Sequence, residues 1–403
     1  MTPTQADHRT AEARSVPTDK VAVVMDAYLP GRLAGGPVTT LSNMTAALGQ
    51  QLDFVIITRD RDIDGRIYED IEANTLLEMP HSRNIYLDRL HYTPRHILRL
   101  AEEVGASHLY LNSFFSPTVI RLLLHLRWAR RTGRMRVLLA PRGEFSLGAL
   151  SLKSKKKQLY LKFFHLLRLA QCVDTFQASS FFEESDIRRQ LGPVHVKIAP
   201  DIPDAVGRPA TFLRGEVPRL VFVSRITPKK NLHFALQVLA QRRTETHLDI
   251  YGPLEDRAYW ESCEAQIRQL PAHIKVRYCG TLDHEEVGQA FGRYDAFLFP
   301  TQGENYGHVI LEALGAGCPV ILSDQTPWQD LGAQGAGWVC DLKQPVQFSR
   351  ALDELLDESD VQAQARRERC ASYAQRVAND PQVREDNLAL FSDAVCAHSS
   401  QTV

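Results

Sequence analysis

Twelve short runs of aliphatic and β-branched residues punctuate this chain, each followed by a longer amphipathic segment, and that alternation limits the fold more than any other feature. "KVAVVMDAYLP", "DFVIITRD", "SHLYLNS", "MRVLLAPRGE", "DTFQASS" and "VKIAPDI" read as strands of a first set; "RLVFVSRI", "HLDIYGPL", "IKVRYCGTL", "DAFLFPT", "CPVILSD" and "AGWVCD" read as a second. Strands separated by helices pair in parallel and are covered on both faces. Between the sets, Pro200, Pro203, Gly207, Pro209, Gly215 and Pro218 break all periodicity, which marks a linker. The expected class is therefore α/β: two doubly wound, Rossmann-like domains facing one another across a cleft. Residues 20–203 form the first domain and 219–380 the second, with a linker at 204–218 about which the domains are expected to close. Pro381 interrupts a helical stretch, so residues 381–403 are free to leave the second domain.

With 403 residues and 44% hydrophobic content, the chain has enough material for two cores. A formal net charge of -1 gives no reason to expect a nucleic-acid partner. The seven cysteines are scattered without a CxxC pair, as expected for free thiols in a reducing compartment. Residues 1–19 are polar and read as a disordered tail without a secretory signal. No run approaches the roughly 20 apolar residues that span a bilayer. The expectation is a cytoplasmic protein.

Ligands of open parallel sheets lie outside the carboxyl ends of the strands, so residues directly after strands are the candidates. Gly35 and Gly36 precede Pro37 and a helix, where close backbone approach and unpaired amides suit an anion, although a plain strand-to-helix turn would look the same. In "FVSRITPKKNL", Arg225 and Lys230 follow the first strand of the second set; a guanidinium and a lysine five residues later suit a diphosphate. Lys229 beside them reads as a solvated loop cation. In "FPTQGENYGHVILEALGAGCPVI", Glu304 falls in the turn after a buried strand and Glu312 on the next helix. The amides near Asn305, Tyr306, Gly307 and His308 open that helix. A charge within "VILEALGAG" is costly to bury unpaired. Two carboxylates so placed suit two sets of hydroxyls, such as those of a sugar and a ribose joined by a diphosphate.

The stretches "SRITPKKN", "IYGPLED", "YCGTLDHEEV" and the glutamate pair spaced E-x7-E, with "GGP" near the start, resemble retaining glycosyltransferases of family 4, which have the GT-B fold. The likeness covers roughly residues 20 to 395. It implies that Glu304 contacts the donor sugar, Glu312 the ribose, Arg225 and Lys230 the diphosphate, and Gly36 the distal phosphate. Gly252, Asn305, Tyr306, Gly307 and His308 would line the donor site. It also implies that the last helix crosses back onto the first domain. The sequence departs from the family where a first-domain histidine is common: here "APRGEFS" offers Arg142 or Glu144 as the sugar or acceptor wall. Tyr306 stands where phenylalanine is common, and "YGPLED" has one glycine where relatives have two.

No Asp-x-Asp ends an expected strand, so no metal and no cofactor are expected beyond a nucleotide-diphosphate sugar as donor substrate. Fixed cations would stabilise the leaving diphosphate, and front-face attack is the retention mechanism the resemblance implies. The rival readings are another GT-B enzyme, such as a sugar-nucleotide 2-epimerase or a phosphorylase, and a non-catalytic sugar-binding protein.

Charge is uneven along the chain. Arg121 to Arg168 holds thirteen lysines and arginines against one acid, Glu144, a local net of +12 that leaves -13 elsewhere. Within it, "SKKKQLYLKFFHLLRLA" sets Leu159, Tyr160, Phe163, Phe164 and Leu167 beside Lys155, Lys156, Lys157 and Lys162. That composition suits a helix on an anionic membrane surface, presenting a lipid-linked acceptor for surface polysaccharide. An ordinary packed helix with solvated lysines is the plainer reading.

Overall fold

The computed structural model describes residues 19–392, apart from 32, 34, 129–134, 152, 153, 205, 207, 208, 210, 211 and 213. The expected tail, up to residue 18, lies outside the described residues, as do Arg130, Arg131, Arg134 and Lys153 of the basic block.

The first sheet comprises β1 (Asp19–Val24), β2 (Leu52–Arg59), β3 (Leu76–Glu78), β4 (Arg83–Leu87), β5 (His108–Asn112), β6 (Arg136–Ala140), β7 (Thr175–Ala178) and β8 (Val196–Ile198). Their order is β3-β4-β2-β1-β5-β6-β7-β8, and all neighbours are parallel except β3 and β4. Burial follows the two-residue period of a strand. In β1, Ala22 and Val24 enter one core while Val21 and Val23 enter the core on the opposite face. Neither β3 nor β4 is among the strands expected from sequence. β3 is a three-residue edge strand with both end residues exposed, too short to leave an apolar run.

The second sheet comprises β9 (Arg219–Val223), β10 (Thr246–Tyr251), β11 (Ile274–Tyr278), β12 (Ala296–Phe299), β13 (Val320–Ser323) and β14 (Gly337–Cys340). It is wholly parallel, in the order β11-β10-β9-β12-β13-β14. In both sheets the strand order reverses beside the first strand, between β1 and β5 and between β9 and β12. Such a switch point opens a crevice at the carboxyl ends.

Helix Asp360–Ala378 ends at Asn379, and Pro381 begins a separate helix, Pro381–Ala389. That helix lies on the first domain. Asn387 donates to the Pro200 carbonyl at 2.7 Å and Lys197 to the Ala389 carbonyl at 2.6 Å. Phe391 enters the first core, edge-on to Phe54 at 6.0 Å and to Tyr110 at 5.5 Å.

The linker is less free than its prolines suggest. Val206 packs on the second core over Gly315, Pro209 lies against Gly317, and Arg367 sits 4.0 Å from the Phe212 ring. Arg214 donates to the Leu355 carbonyl at 2.5 Å. From Val206 onward the described linker residues are thus part of the second domain's surface. Only the short stretches near Pro203 and near Asp380 are left as connections between the domains among the described residues.

Candidate active site

The carboxyl ends of the two sheets face each other, and side chains touch across the gap. Thr40, on helix Gly36–Leu48 of the first domain, lies 3.1 Å from His308 Nε2 of the second. Its hydroxyl donates to Asp201 at 2.9 Å. His308 begins helix His308–Gly315, and Gly307 before it adopts a left-handed φ of 84°. There an added Cβ would press on Ile310 and Trp328, so a glycine serves both conformation and space.

Second-domain charges gather at the β9/β12 switch. Lys230 Nζ lies 2.6 Å from Glu304 Oε1, and the two side chains are 14% and 10% exposed. The Thr301 hydroxyl donates to the same oxygen at 3.0 Å. Burial alone would raise the Glu304 carboxyl, but Lys230, Lys229 and Thr301 together hold it below its ordinary value. Arg225 stands at the rim, about half exposed, with Nη1 2.8 Å from Glu255. A pair that exposed contributes little, so an incoming phosphate can replace Glu255 at small cost. Gly252 has φ 133°, and a Cβ there would collide with the Ser224 carbonyl, so this glycine sets how closely the ends of β9 and β10 approach behind Arg225.

Lys229 is not a solvated loop cation. Its stem packs 3.3 Å from the Cβ position of Gly148 in the first domain, and its Cε and the first domain's Ser146 flank the Cβ position of Gly303, at 3.6 and 3.7 Å. Burial, together with Lys230 and Arg225, pushes its ammonium down to about 8 despite Glu304. A neighbour-by-neighbour reading of the sequence has no signal for this, because Gly148 and Ser146 come from the other domain.

Around Glu304, the next residues divide by role. The Tyr306 ring is buried, 4.9 Å from His308 and 5.9 Å from Trp328, and its carbonyl accepts from Trp328 Nε1 at 2.7 Å. Asn305 points to the first domain. Glu312 is half-buried, one helical turn beyond His308 on the same side of the helix. On the first domain, Gly36 opens its helix with nothing within 4 Å of its Cβ position, leaving room for a ligand over the amides.

The two residues offered as a first-domain wall have other duties. Arg142 is only 5% exposed; it bonds Asp201 and Asn112, at 2.9 and 2.8 Å, and the Tyr110 hydroxyl at 2.7 Å. Glu144 accepts from the Ser113 hydroxyl at 2.7 Å and from the amides of Phe114 and Phe115 at 2.6 and 3.0 Å. Both side chains hold the loops behind the cleft. Sequence reading missed Glu183, whose buried carboxylate reaches across to Asn305. Among the described residues no group of three or more His, Cys, Asp or Glu is arranged to hold a metal ion.

The basic helix Ser154–Leu166 divides into two faces. Phe164 is buried and Tyr160 and Leu167 pack on the core. Lys157 also turns inward, donating to the Ala149 carbonyl at 2.6 Å over the Phe115 ring, so it does not belong to the outer basic face. Leu159, Phe163 and Leu166 are exposed, at 56%, 51% and 74%, with Lys155, Lys156 and Lys162 exposed among them.

Comparison with known proteins finds a family likeness in the second domain and a fold. Residues 207–377 match the family "Glycosyl transferases group 1". Similar curated proteins include the sulfoquinovosyl transferase SQD2 of Arabidopsis thaliana, 32% identical over 26% of this chain and 19% of its own length. Another is O-antigen chain mannosyltransferase B of Escherichia coli, 28% identical over 34% of this chain and 37% of its own. The chain thus spans about a fifth to two-fifths of the length of these relatives. Sucrose-phosphate synthase from Thermosynechococcus elongatus superposes with a TM-score of 0.70 at 15% identity, over 93% of this chain and 98% of that one. The fold is accordingly GT-B.

Proposed function

We propose that this chain, whose residues 207–377 match the glycosyl transferases group 1 family, moves a sugar from a nucleoside-diphosphate donor to a hydroxyl of a saccharide or lipid-linked saccharide. We further propose that the transfer retains anomeric configuration and needs no metal. The observation that carries the reading is the buried Lys230–Glu304 pair at the β9/β12 switch, with Arg225 at its rim, the helix start at His308 beside it and the helix start at Gly36 opposite. In this arrangement the donor diphosphate takes Arg225 and Lys230, the sugar hydroxyls take Glu304, and the ribose takes Glu312. The bond from the anomeric carbon to the diphosphate breaks while the acceptor oxygen bonds to the same face. The acceptor proton passes to the leaving phosphate. Lysine, arginine and helix amides that are already in place stabilise the departing charge without reorganising.

Melting-temperature shifts with UDP-, GDP- and ADP-sugars identify the donor, since a ligand at 100 times its Kd stabilises by about 2.7 kcal/mol. Product NMR then reads the configuration. Retained configuration and full activity in EDTA are expected; inversion, or activity restored only by Mg²⁺ or Mn²⁺, contradicts the reading. Consumption of a nucleotide sugar without acceptor, yielding its epimer, would instead mark an epimerase.

The acceptor reading extends to a lipid surface. Leu159, Phe163 and Leu166 with Lys155, Lys156 and Lys162 form an exposed apolar and basic face on a chain in which no described helix is long and apolar enough to cross a membrane. Each basic group near an anionic leaflet contributes about 1 kcal/mol. The protein is expected to sediment with phosphatidylglycerol vesicles at low salt and to be released as salt rises. Changing Lys155, Lys156 and Lys162 to glutamate should abolish binding, whereas Lys157→Gln should not. Equal binding to neutral vesicles, or none to either, refutes this docking.

A further inference from the structure

We propose that Glu183 is a positioning residue: a first-domain carboxylate that grips Asn305 of the second domain and thereby fixes the loop bearing Glu304 when the domains meet. Glu183 lies in the first turn of helix Phe181–Leu191 and is 5% exposed. Its Oε1 accepts from the Gly143 amide at 2.6 Å; its Oε2 accepts from the amide and hydroxyl of Ser179 at 2.8 and 2.9 Å. Those partners belong to the two loops that end β6 and β7, and they already tie the first domain's rim together.

One further donor comes from the other domain. With its amide nitrogen toward the carboxylate, the orientation that pairs both ends with complementary groups, Asn305 donates to Glu183 Oε2 at 2.6 Å and approaches Ser179 Oγ at 2.8 Å. Hydrogen bonds to a charged acceptor at such a length are among the stronger ones, and here water is excluded. The fit is tight on the backbone side as well. Gly143 has φ 72°, and an added Cβ would lie 3.0 Å from Asn305 Cβ. Glu304, directly before Asn305, is held within its own domain by Lys230 and Thr301. Asn305 is therefore the link that couples the position of the Glu304 loop to the presence of the first domain. That coupling supplies a reason for domain closure to complete the site.

The inference rests on the glycosyl-transfer reading only for its catalytic consequence; the grip itself is measurable on the full chain without substrate. Hydrogen exchange of the amides at 303–307 is expected to quicken at least tenfold in Asn305→Ala and in Glu183→Gln, while the sheet amides of both domains keep their rates. Asn305→Asp, which keeps the shape of the side chain but removes the amide donor and sets a second carboxylate against Glu183, should quicken exchange as much as Asn305→Ala. Asn305→Ala serves if Glu183→Gln fails to fold. With UDP-glucose or GDP-mannose as donor probes, whichever is turned over, the single variants should lower kcat 10- to 100-fold with donor KM within threefold. Loop exchange within twofold of wild type in Asn305→Ala, or in Asn305→Asp, overturns the proposal. A wild type that turns over no nucleotide sugar yet shows the same exchange pattern overturns the glycosyl-transfer reading and leaves the grip standing.

Discussion

At the mouth of the cleft the two domains use charge in opposite ways. The first domain's ionic groups there, Arg142, Glu144, Glu183 and Asp201, lie among hydrogen bonds that hold its own loops. The second domain gathers Arg225, Lys229, Lys230 and Glu304 around one point, with only Lys230 and Glu304 tightly paired. Similar architectures thus carry a braced wall on one side and a cluster of cations on the other. A charged residue at a strand end is consequently no guide to chemistry until its partners are known.

That contrast can be broken by mutation. Arg142→Ala leaves Asp201 buried beside Thr40 without its cation, which should cost about 3–5 kcal/mol of stability by urea unfolding. Arg225→Ala should change stability by less than about 1 kcal/mol, because its pair with Glu255 is half exposed, yet it should lose about 2–4 kcal/mol of transition-state stabilisation. If Arg142→Ala proves stable and inactive while Arg225→Ala unfolds, the division between wall and cations is mistaken.

Within the second domain the paired glutamates sharpen the same contrast. Glu304→Gln should lower kcat roughly 10²-fold and also weaken the fold, since Lys230 loses its buried partner. Glu312→Gln should chiefly raise donor KM, on the order of tenfold. Equal losses in donor affinity with kcat unchanged in both would remove Glu304 from the reacting sugar.

The smallest effect is a proton. Lys229 has a folded value of about 8 against an unfolded value near 10.5, so between those pH values the unfolded chain binds more protons and stability rises with pH. A diphosphate bound nearby would raise the folded value again. Binding of UDP or GDP at pH 8 should then take up roughly half a proton, read by calorimetry in buffers of different ionisation enthalpy. Lys229→Met should abolish the uptake. An uptake that survives in Lys229→Met must come from another group.

Much of this was legible residue by residue, and the remainder was not, for reasons of distance. The long apolar strands, the break at Pro381 and the E-x7-E spacing are local patterns, and the buried strand "AFLF" with the turn after it places Glu304 before a helix and Glu312 on it. β3 and β4 escape because β3 is largely exposed and β4 opens on Arg83 and Asn84, so neither presents an apolar run amid its polar surroundings. The inward turn of Lys157 escapes because its acceptor is a backbone carbonyl, which has no residue type.

Local order in the chain therefore decides which elements form, because helix and strand periods and turn residues act over a few positions. It also decides which side chains are delivered to the carboxyl ends of the strands. Whether such a side chain braces or reacts is decided by partners that only the closed fold brings near: Asp201 for Arg142, Glu304 for Lys230, Gly148 for Lys229 and Asn305 for Glu183. The physical reason is that desolvation and ion pairing depend on atoms within a few ångströms of the charge, and at this cleft those atoms come from chain segments far apart in sequence.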